Sequence, residues 1–402
     1  CADAGHQCGA ATVMDKCLVT RTINCGVCSD FDTCVLGSSG NDPNTCQIIE
    51  VETTPPVLNQ YFGSSVDIHA EQALVGAAPP TRQANFPQAK AYRLDRDAQT
   101  NGWPNIVQLT RPSGSHDYFG YSVGISGTGI IIGSPNFNTD ISGNLGYTVY
   151  YPLNTLTSNA VMQSRDQAGE GTSVAIVDNV NTPYSTSASG APFRSGTIGP
   201  INSYVIPRIQ NTLGVWSDYA TGRIEAQTST ARMGTSVSMT RTVMAVGLPG
   251  DDEVRIYTRN TFGAAWQPSL VVSNQKADID FGASVALSDD ARYLAVGGLL
   301  QQGASTEGTS ESSVIIYALD FTGVGSATPV AVLNSMSAYF GQSLAFEEHG
   351  LIPTLYVGNP GRNTNTSGEV LIYERLSSMG GAWALSADSP IRPPTPTTGD
   401  FF

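Results

Sequence analysis

The stretch DYFGYSVGISGTGIIIGSP, residues 117–135, holds the pattern on which the fold turns. A glycine follows an aromatic residue at Phe119-Gly120, and small and apolar residues then alternate through SVGIS, as in a half-buried strand. A Gly-rich turn, SGTG, leads into the apolar run IIIGSP, which suits a strand buried on both faces. The proline that closes the run lacks a backbone donor and ends the pairing.

The pattern recurs. YFGSSVDIHAEQALVGAAPP (61–80) precedes it, and MGTSVSMTRTVMAVGLPGDDEVRIY (233–257), FGASVALSDDARYLAVGG (281–298) and FGQSLAFEEHGLIPTLYVGNP (340–360) follow, with a worn copy, GEGTSVAIV, at 169–177. The lead glycines Gly63, Gly120, Gly171, Gly234, Gly282 and Gly341 stand 48 to 63 residues apart, a period that marks repeated supersecondary units. Each copy continues with a third apolar run (KAYRL, YTVYY, SYVI, VRIY, VIIY, VLIY) and a weaker fourth (NIVQLT, AVMQS, RIEAQT, SLVVSN, VAVLN, AWALS). Four antiparallel strands per unit, six units and no helical pattern predict an all-β fold, a β-propeller of six blades. A seventh blade would have to come from residues 47–60 and the C-terminal tail, a short span for four strands.

Phe-Gly at the start and Gly-x-Pro after the second strand resemble the FG-GAP repeat. That repeat builds the propeller of integrin α subunits and of many secreted microbial proteins. The likeness covers residues 57–388 and implies an extracellular propeller. It also raises calcium, because some FG-GAP blades carry Asp-x-Asp-x-Asp-Gly between their first two strands. The corresponding turns here read HAEQ, SGTG, DNVNTPYS, TRT, SDDAR and EEHGLIPT. None offers alternating carboxylates around a glycine, so the oxygen cage of a calcium site is not written and no cofactor is expected. The nearest approach is Asp178, Asn179 and Asn181, which reads more simply as an Asx turn.

The cysteines lie elsewhere. Cys1, Cys8, Cys17, Cys25, Cys28, Cys34 and Cys46 fall in the first 46 residues, and the remaining 356 have none. So short a block, with few large apolar residues, needs covalent or metal support to fold. Cys25 and Cys28 form a Cys-x2-Cys pair, but a second pair of zinc ligands is missing, and disulfides in an oxidising, extracellular setting fit better. Seven is odd, and Cys1, at the end of the chain, is the natural unpaired member. The spacing resembles a small Cys-rich module found, often in tandem, in secreted proteins. The expected organisation is this module (1–46), a linker (47–56), the propeller (57–388) and a Thr/Pro-rich tail (389–402). A chain that opens on Cys1 reads as a processed form.

Chemistry is sparsely signalled. His6, His69, His116 and His349 fall in unrelated loops, and neither GxSxG nor HExxH is present. His116 and Asp117 precede a blade, and Asp278 with Asp280 would form a carboxylate pair, but a structural role is the simpler account of both. The expectation is therefore that the chain is not an enzyme. Asn365-Thr366-Ser367 is an N-glycosylation sequon, and Thr395, Thr397 and Thr398 in the Pro-rich tail are O-glycan candidates. Trp103, Trp216, Trp266 and Trp383 are candidates for sugar stacking, with blade packing as the plainer role for Trp266 and Trp383. A net charge of −14 argues against nucleic acid and anionic lipid, and no apolar run reaches the length of a membrane span. Together these features predict a secreted adhesive or structural subunit that associates with protein partners or itself, in a fibre or array. A lectin-like propeller is the first alternative and a secreted hydrolase or lyase the second.

Overall fold

The computed structural model describes residues 11–14, 20–23, 32–34, 46–48, 61–79, 89–97, 102–112, 118–135, 146–156, 160–163, 169–179, 185–192, 203–211, 213–218, 222–228, 230–274, 279–300, 312–323, 325–335, 337, 339–347, 353–360, 368–376 and 381–392. The chain divides into two compact units, Cys1–Leu58 with Leu94–Val107, and Asn59–Arg93 with Gln108–Phe402. In the first unit, Ala11–Met14 pairs with Thr20–Ile23 and Asp32–Cys34 pairs with Cys46–Ile48, with Cys34 and Cys46 opposite each other in register.

The second unit carries the propeller, and among its described residues there is no helix. Blade 1 contributes an inner strand, Phe62–His69, then Gln72–Ala77 and Lys90–Asp95. Blade 2 is Ser122–Ile125, Gly129–Ser134, Tyr147–Pro152 and Ala160–Gln163. Blade 3 begins Ser173–Asp178, Ser185–Ala191 and Tyr204–Gln210, and its fourth strand is broken into Trp216–Asp218 and Ile224–Glu225. Blade 4 is Val237–Met239, Val243–Leu248, Glu253–Thr258 and Gln267–Ser273. Blade 5 is Ile279–Leu287, Tyr293–Leu300, Ser312–Asp320 and Ser326–Ser335. Blade 6 is Leu344–Glu347, Thr354–Asn359, Glu369–Leu376 and Ala382–Leu385.

The second strands are the buried ones, as their composition predicts. Every residue of Gly129–Ser134 and of Val243–Leu248 is buried. Ile130 and Ile132 pack with Leu74, Ala91 and Leu109 of the preceding blade, whereas Ile131 faces the following blade and meets Ile176. Each such aliphatic side chain contributes about 1.5–3 kcal/mol of burial, gained only when a neighbouring blade covers it.

The joints between blades repeat one hydrogen bond. Ser65 Oγ donates to the carbonyl of Gly120 at 2.9 Å. Ser122 reaches Gly171, Ser173 reaches Gly234 and Ser236 reaches Gly282, each at 2.8 Å, and Ser284 reaches Gly341 at 2.5 Å. The donor stands two residues after one lead glycine and the acceptor is the lead glycine of the next blade. All six lead glycines have φ between +83° and +91°, a left-handed conformation that turns this carbonyl toward the neighbour. On the second strand, Gly133 leaves the room the joint needs: a Cβ there would fall on Gly171 O and Ser122 Oγ. Among the described residues blade 1 has no such contact on its other side, where a Cβ on Gly63 would meet nothing and Val66 and Ile68 are 55% and 40% exposed.

Gly133→Ala is expected to lower stability by about 1–3 kcal/mol through overpacking. Ser122→Ala, which removes only the hydrogen bond, is expected to cost about 1 kcal/mol. Urea unfolding of both variants measures this, and a milder effect for Gly133→Ala would contradict the close approach at the joint.

Candidate functional site

The turns between first and second strands gather polar groups from three blades over one small residue. On the inner strand of blade 1, Asp67 and His69 are two residues apart and so project to the same side. Asp67 Oδ2 accepts the N–H of Ile125 in blade 2 at 2.8 Å, and Asp67 Oδ1 accepts the N–H of Ile68 at 3.0 Å. Two residues on, the place where Gly127 would carry a Cβ lies 3.1 Å from both His69 Nε2 and Asp178 Oδ2. Even a methyl group there would be a tight fit, so the glycine lets an imidazole from blade 1 and a carboxylate from blade 3 close on one point.

Asp178 is held for this. Its Oδ1 accepts Thr128 Oγ1 of blade 2 at 2.6 Å and Ser185 Oγ of its own blade at 2.9 Å, which leaves Oδ2 toward Gly127. Its backbone carbonyl accepts Nε of the exposed Arg241, from blade 4, at 3.1 Å. Tyr150 borders the cluster with its hydroxyl donating to Thr128 O at 3.3 Å, and burial raises its phenol above the ordinary range.

Asp67 is the most perturbed carboxylate of the group. Some of its surface reaches solvent, but the carboxylate itself is enclosed by protein, and this desolvation pushes it up to about 6. The N–H groups of Ile125 and Ile68 oppose the shift by favouring the charged form. An acid with this value exchanges its proton close to neutral pH.

A second buried polar group lies where blade 3 faces blade 2. Glu170 fills the slot that Phe119, Phe281 and Phe340 occupy in other blades, and it is completely buried. Its Oε1 takes Arg208 Nη1 at 2.6 Å and Ser189 Oγ at 3.0 Å, while Arg208 Nε reaches Asp218 at 3.0 Å. In blades 2 and 5 the matching positions hold aromatic pairs, Phe119 with Tyr151 and Phe281 with Tyr317, each with ring centroids 6.4 Å apart. Burial pushes the Glu170 carboxyl up and the Arg208 guanidinium beside it pulls it back. Blade 3 has thus exchanged an aromatic pair for an ion pair.

Of the residues singled out in the sequence, the structure brings Asp178 and His69 together. Asn179 follows Asp178 at the end of its strand, and Asn181 lies outside the described residues. So do Cys1, Cys8, Cys17, Cys25, Cys28, His6, His116, Asp117, Asp278, His349, Asn365, Thr395, Thr397 and Thr398. Asp280 forms an ion pair with Arg232 at 2.6 Å. Trp266 and Trp383 pack in interblade clusters, and Trp216 lies against Tyr150 at 5.0 Å. Among the described residues, no group of three or more His, Cys, Asp or Glu side chains is placed to hold a metal ion. Asp67, Thr128, Ser185 and Arg241 escaped the sequence reading. Of these only Asp67 carried a signal, a carboxylate where the other inner strands have Gly, Ala or Ser, at 124, 175, 238, 286 and 345.

Residues 105–147 match the FG-GAP repeat family, and the structure repeats that unit in a six-bladed β-propeller. No curated protein matches the chain in sequence. Among solved structures, the chain is similar to the periplasmic gluconolactonase of Pseudomonas aeruginosa, with 11% identity, 83% of this chain and 86% of that one covered, and a TM-score of 0.55. It is also similar to a "putative 6-phosphogluconolactonase" of Bacteroides uniformis, at 13% identity, 83% and 86% coverage and a TM-score of 0.55. A protein of the same description from Bacteroides fragilis gives 12% identity, 83% and 85% coverage and a TM-score of 0.51. At these identities the likeness shows the fold alone. It nonetheless corrects the expectation that the chain is not an enzyme. That expectation took the missing motifs for missing catalysis, whereas the solved propellers with this fold named above bear the names of enzymes.

Two measurements check the site. The pKa of Asp67 is higher folded than unfolded, so its contribution to stability is complete below about pH 4 and is lost as pH rises through about 6. The melting temperature of the wild type should therefore fall relative to Asp67→Asn between pH 4 and 7, and parallel pH profiles would refute the assignment. Glu170→Phe alone leaves the buried Arg208 with only the exposed Asp218 as its ionic partner and is expected to cost about 3 kcal/mol, whereas Glu170→Phe with Arg208→Tyr should recover most of it. A double variant no more stable in urea than the single one would contradict the exchange of pairs.

Proposed function

We propose that the propeller is a secreted hydrolase acting on a sugar-derived lactone or ester, with its site at the turns around Gly127. The observation that carries this is the convergence of His69 Nε2 and Asp178 Oδ2 on Gly127, with Asp67 two residues before His69 on the same strand and bonded to Ile125 of the Gly127 blade. The names of the gluconolactonase and the 6-phosphogluconolactonase-like propellers suggest the substrate class. The adhesive and lectin-like roles have no such convergence of groups behind them, and Trp266 and Trp383 are spent in packing.

In this mechanism His69 accepts a proton from a water that attacks the carbonyl carbon, and Asp178 Oδ2 orients the imidazole and stabilises its charged form. The tetrahedral centre collapses, the bond from the carbonyl carbon to the ring oxygen breaks, and the leaving alkoxide takes a proton from protonated Asp67. The product is the open hydroxy acid. The proton gained by His69 then returns to Asp67, which restores the resting state. The guanidinium of Arg241, on the rim, supplies a cation for an acidic substituent of the substrate.

Purified protein is expected to hydrolyse members of an aldonolactone panel. His69→Ala should lower kcat by about 10²–10⁴-fold. The rate should also fall as pH rises through about 6 and Asp67 loses its proton. Absence of turnover by the wild type across lactones and sugar esters would overturn the reading.

A further inference from the structure

Arg259 is 4% exposed, and its guanidinium lies over two rings, that of Trp266, 4.2 Å from the centroid, and that of Phe262, at 4.6 Å. Stacking on two rings fixes the plane of a guanidinium and with it the direction of every donor. Two of those donors leave in different directions. Nε gives its proton to the carbonyl of Arg241 at 2.5 Å, within blade 4, and Nη2 gives one to Thr186 Oγ1 of blade 3 at 3.1 Å.

Both acceptors lie one step from Asp178. Arg241 is the residue whose Nε holds the Asp178 carbonyl, so fixing its own carbonyl fixes the turn that reaches across. Thr186 follows Ser185, whose hydroxyl holds Asp178 Oδ1, and on a strand the two side chains face opposite ways. Ser185 thus serves the site while Thr186 is tied from behind. We propose that Arg259 is a positioning residue that sets the Asp178 carboxylate over Gly127 through these two arms. The inference rests on the function proposed above, since it gives the carboxylate its task.

The geometry also says what a replacement would do. Lysine keeps the charge and the ring contact but has no planar fork, so it cannot hold a carbonyl and a hydroxyl in two fixed directions. Thr186→Val removes one arm and leaves Arg259, its two rings and the Arg241 arm in place. It is the milder test should Arg259→Lys fail to fold.

The experiment measures lactone hydrolysis by the full chain for Thr186→Val and Arg259→Lys, together with melting temperature and the His69 ring resonances in two-dimensional NMR spectra. The expected result is a kcat reduced about 3- to 30-fold with KM nearly unchanged, a melting temperature that does not account for the loss, and displaced His69 resonances. Wild-type kcat and unmoved His69 resonances in a folded Thr186→Val variant would overturn the proposal. If the wild type turns over no lactone, the proposed function fails by itself. The His69 resonances then decide the role of Arg259: displaced resonances support it and unmoved ones overturn it.

Discussion

The serine hydroxyl that reaches the lead glycine of the next blade is the contact on which the propeller depends. A blade exposes two apolar faces, and only its neighbours can cover them. The Ser–Gly bond fixes how closely the inner strands approach and in what register. It has steric conditions on both sides: the acceptor glycine must adopt a left-handed conformation, and the facing second strand must carry no Cβ at Gly133 or its equivalents. The FG and GAP halves of the repeat are therefore two sides of one joint. The candidate site inherits this register. With Ser65 on Gly120, Asp67 falls at Ile125 and His69 at Gly127, and with Ser122 on Gly171, Asp178 arrives at Gly127 from the other side.

Blade 3 departs from the others in its interior. Its second strand, STSASGA, is buried throughout, and Glu170 and Arg208 stand where an aromatic pair belongs. Exchanging such an ion pair for apolar residues is commonly neutral or stabilising, so stability is a weak reason for its presence. The same strand begins with Ser185 and Thr186, which anchor Asp178 and accept from Arg259. Polarity in this blade runs from the interblade face, at Glu170 and Arg208, to the turn that carries Asp178.

The architecture was legible because its causes are local. The lead glycines, the apolar second strands and the prolines after them each answer a demand that a single blade makes, and repetition separates them from accident. The serine two residues after each lead glycine, from Ser65 to Ser343, was equally visible, but its partner belongs to the next blade and only coordinates supply the bond. Glu170 was visible too, as the one charge in an aromatic slot. Arg208 was not, since its matching position is defined by strand register. The site was the least legible part. His69, Gly127 and Asp178 come from three blades, and each alone looks like an ordinary turn residue.

That dispersal is why absent motifs say little about catalysis in such a fold. A motif such as GxSxG records chemistry that one loop can hold, and a propeller has no need to use one loop. Turns of successive blades lie side by side, so an imidazole, a glycine and a carboxylate spread over more than a hundred residues of sequence become neighbours once the joints set the register. The same architecture keeps the supporting parts apart. Arg259 belongs to blade 4 and His69 to blade 1, yet Arg259 is bonded to two of the elements that hold Asp178. In such a fold a residue's part in the chemistry follows from the turn it braces, and spacing along the chain carries little of that information.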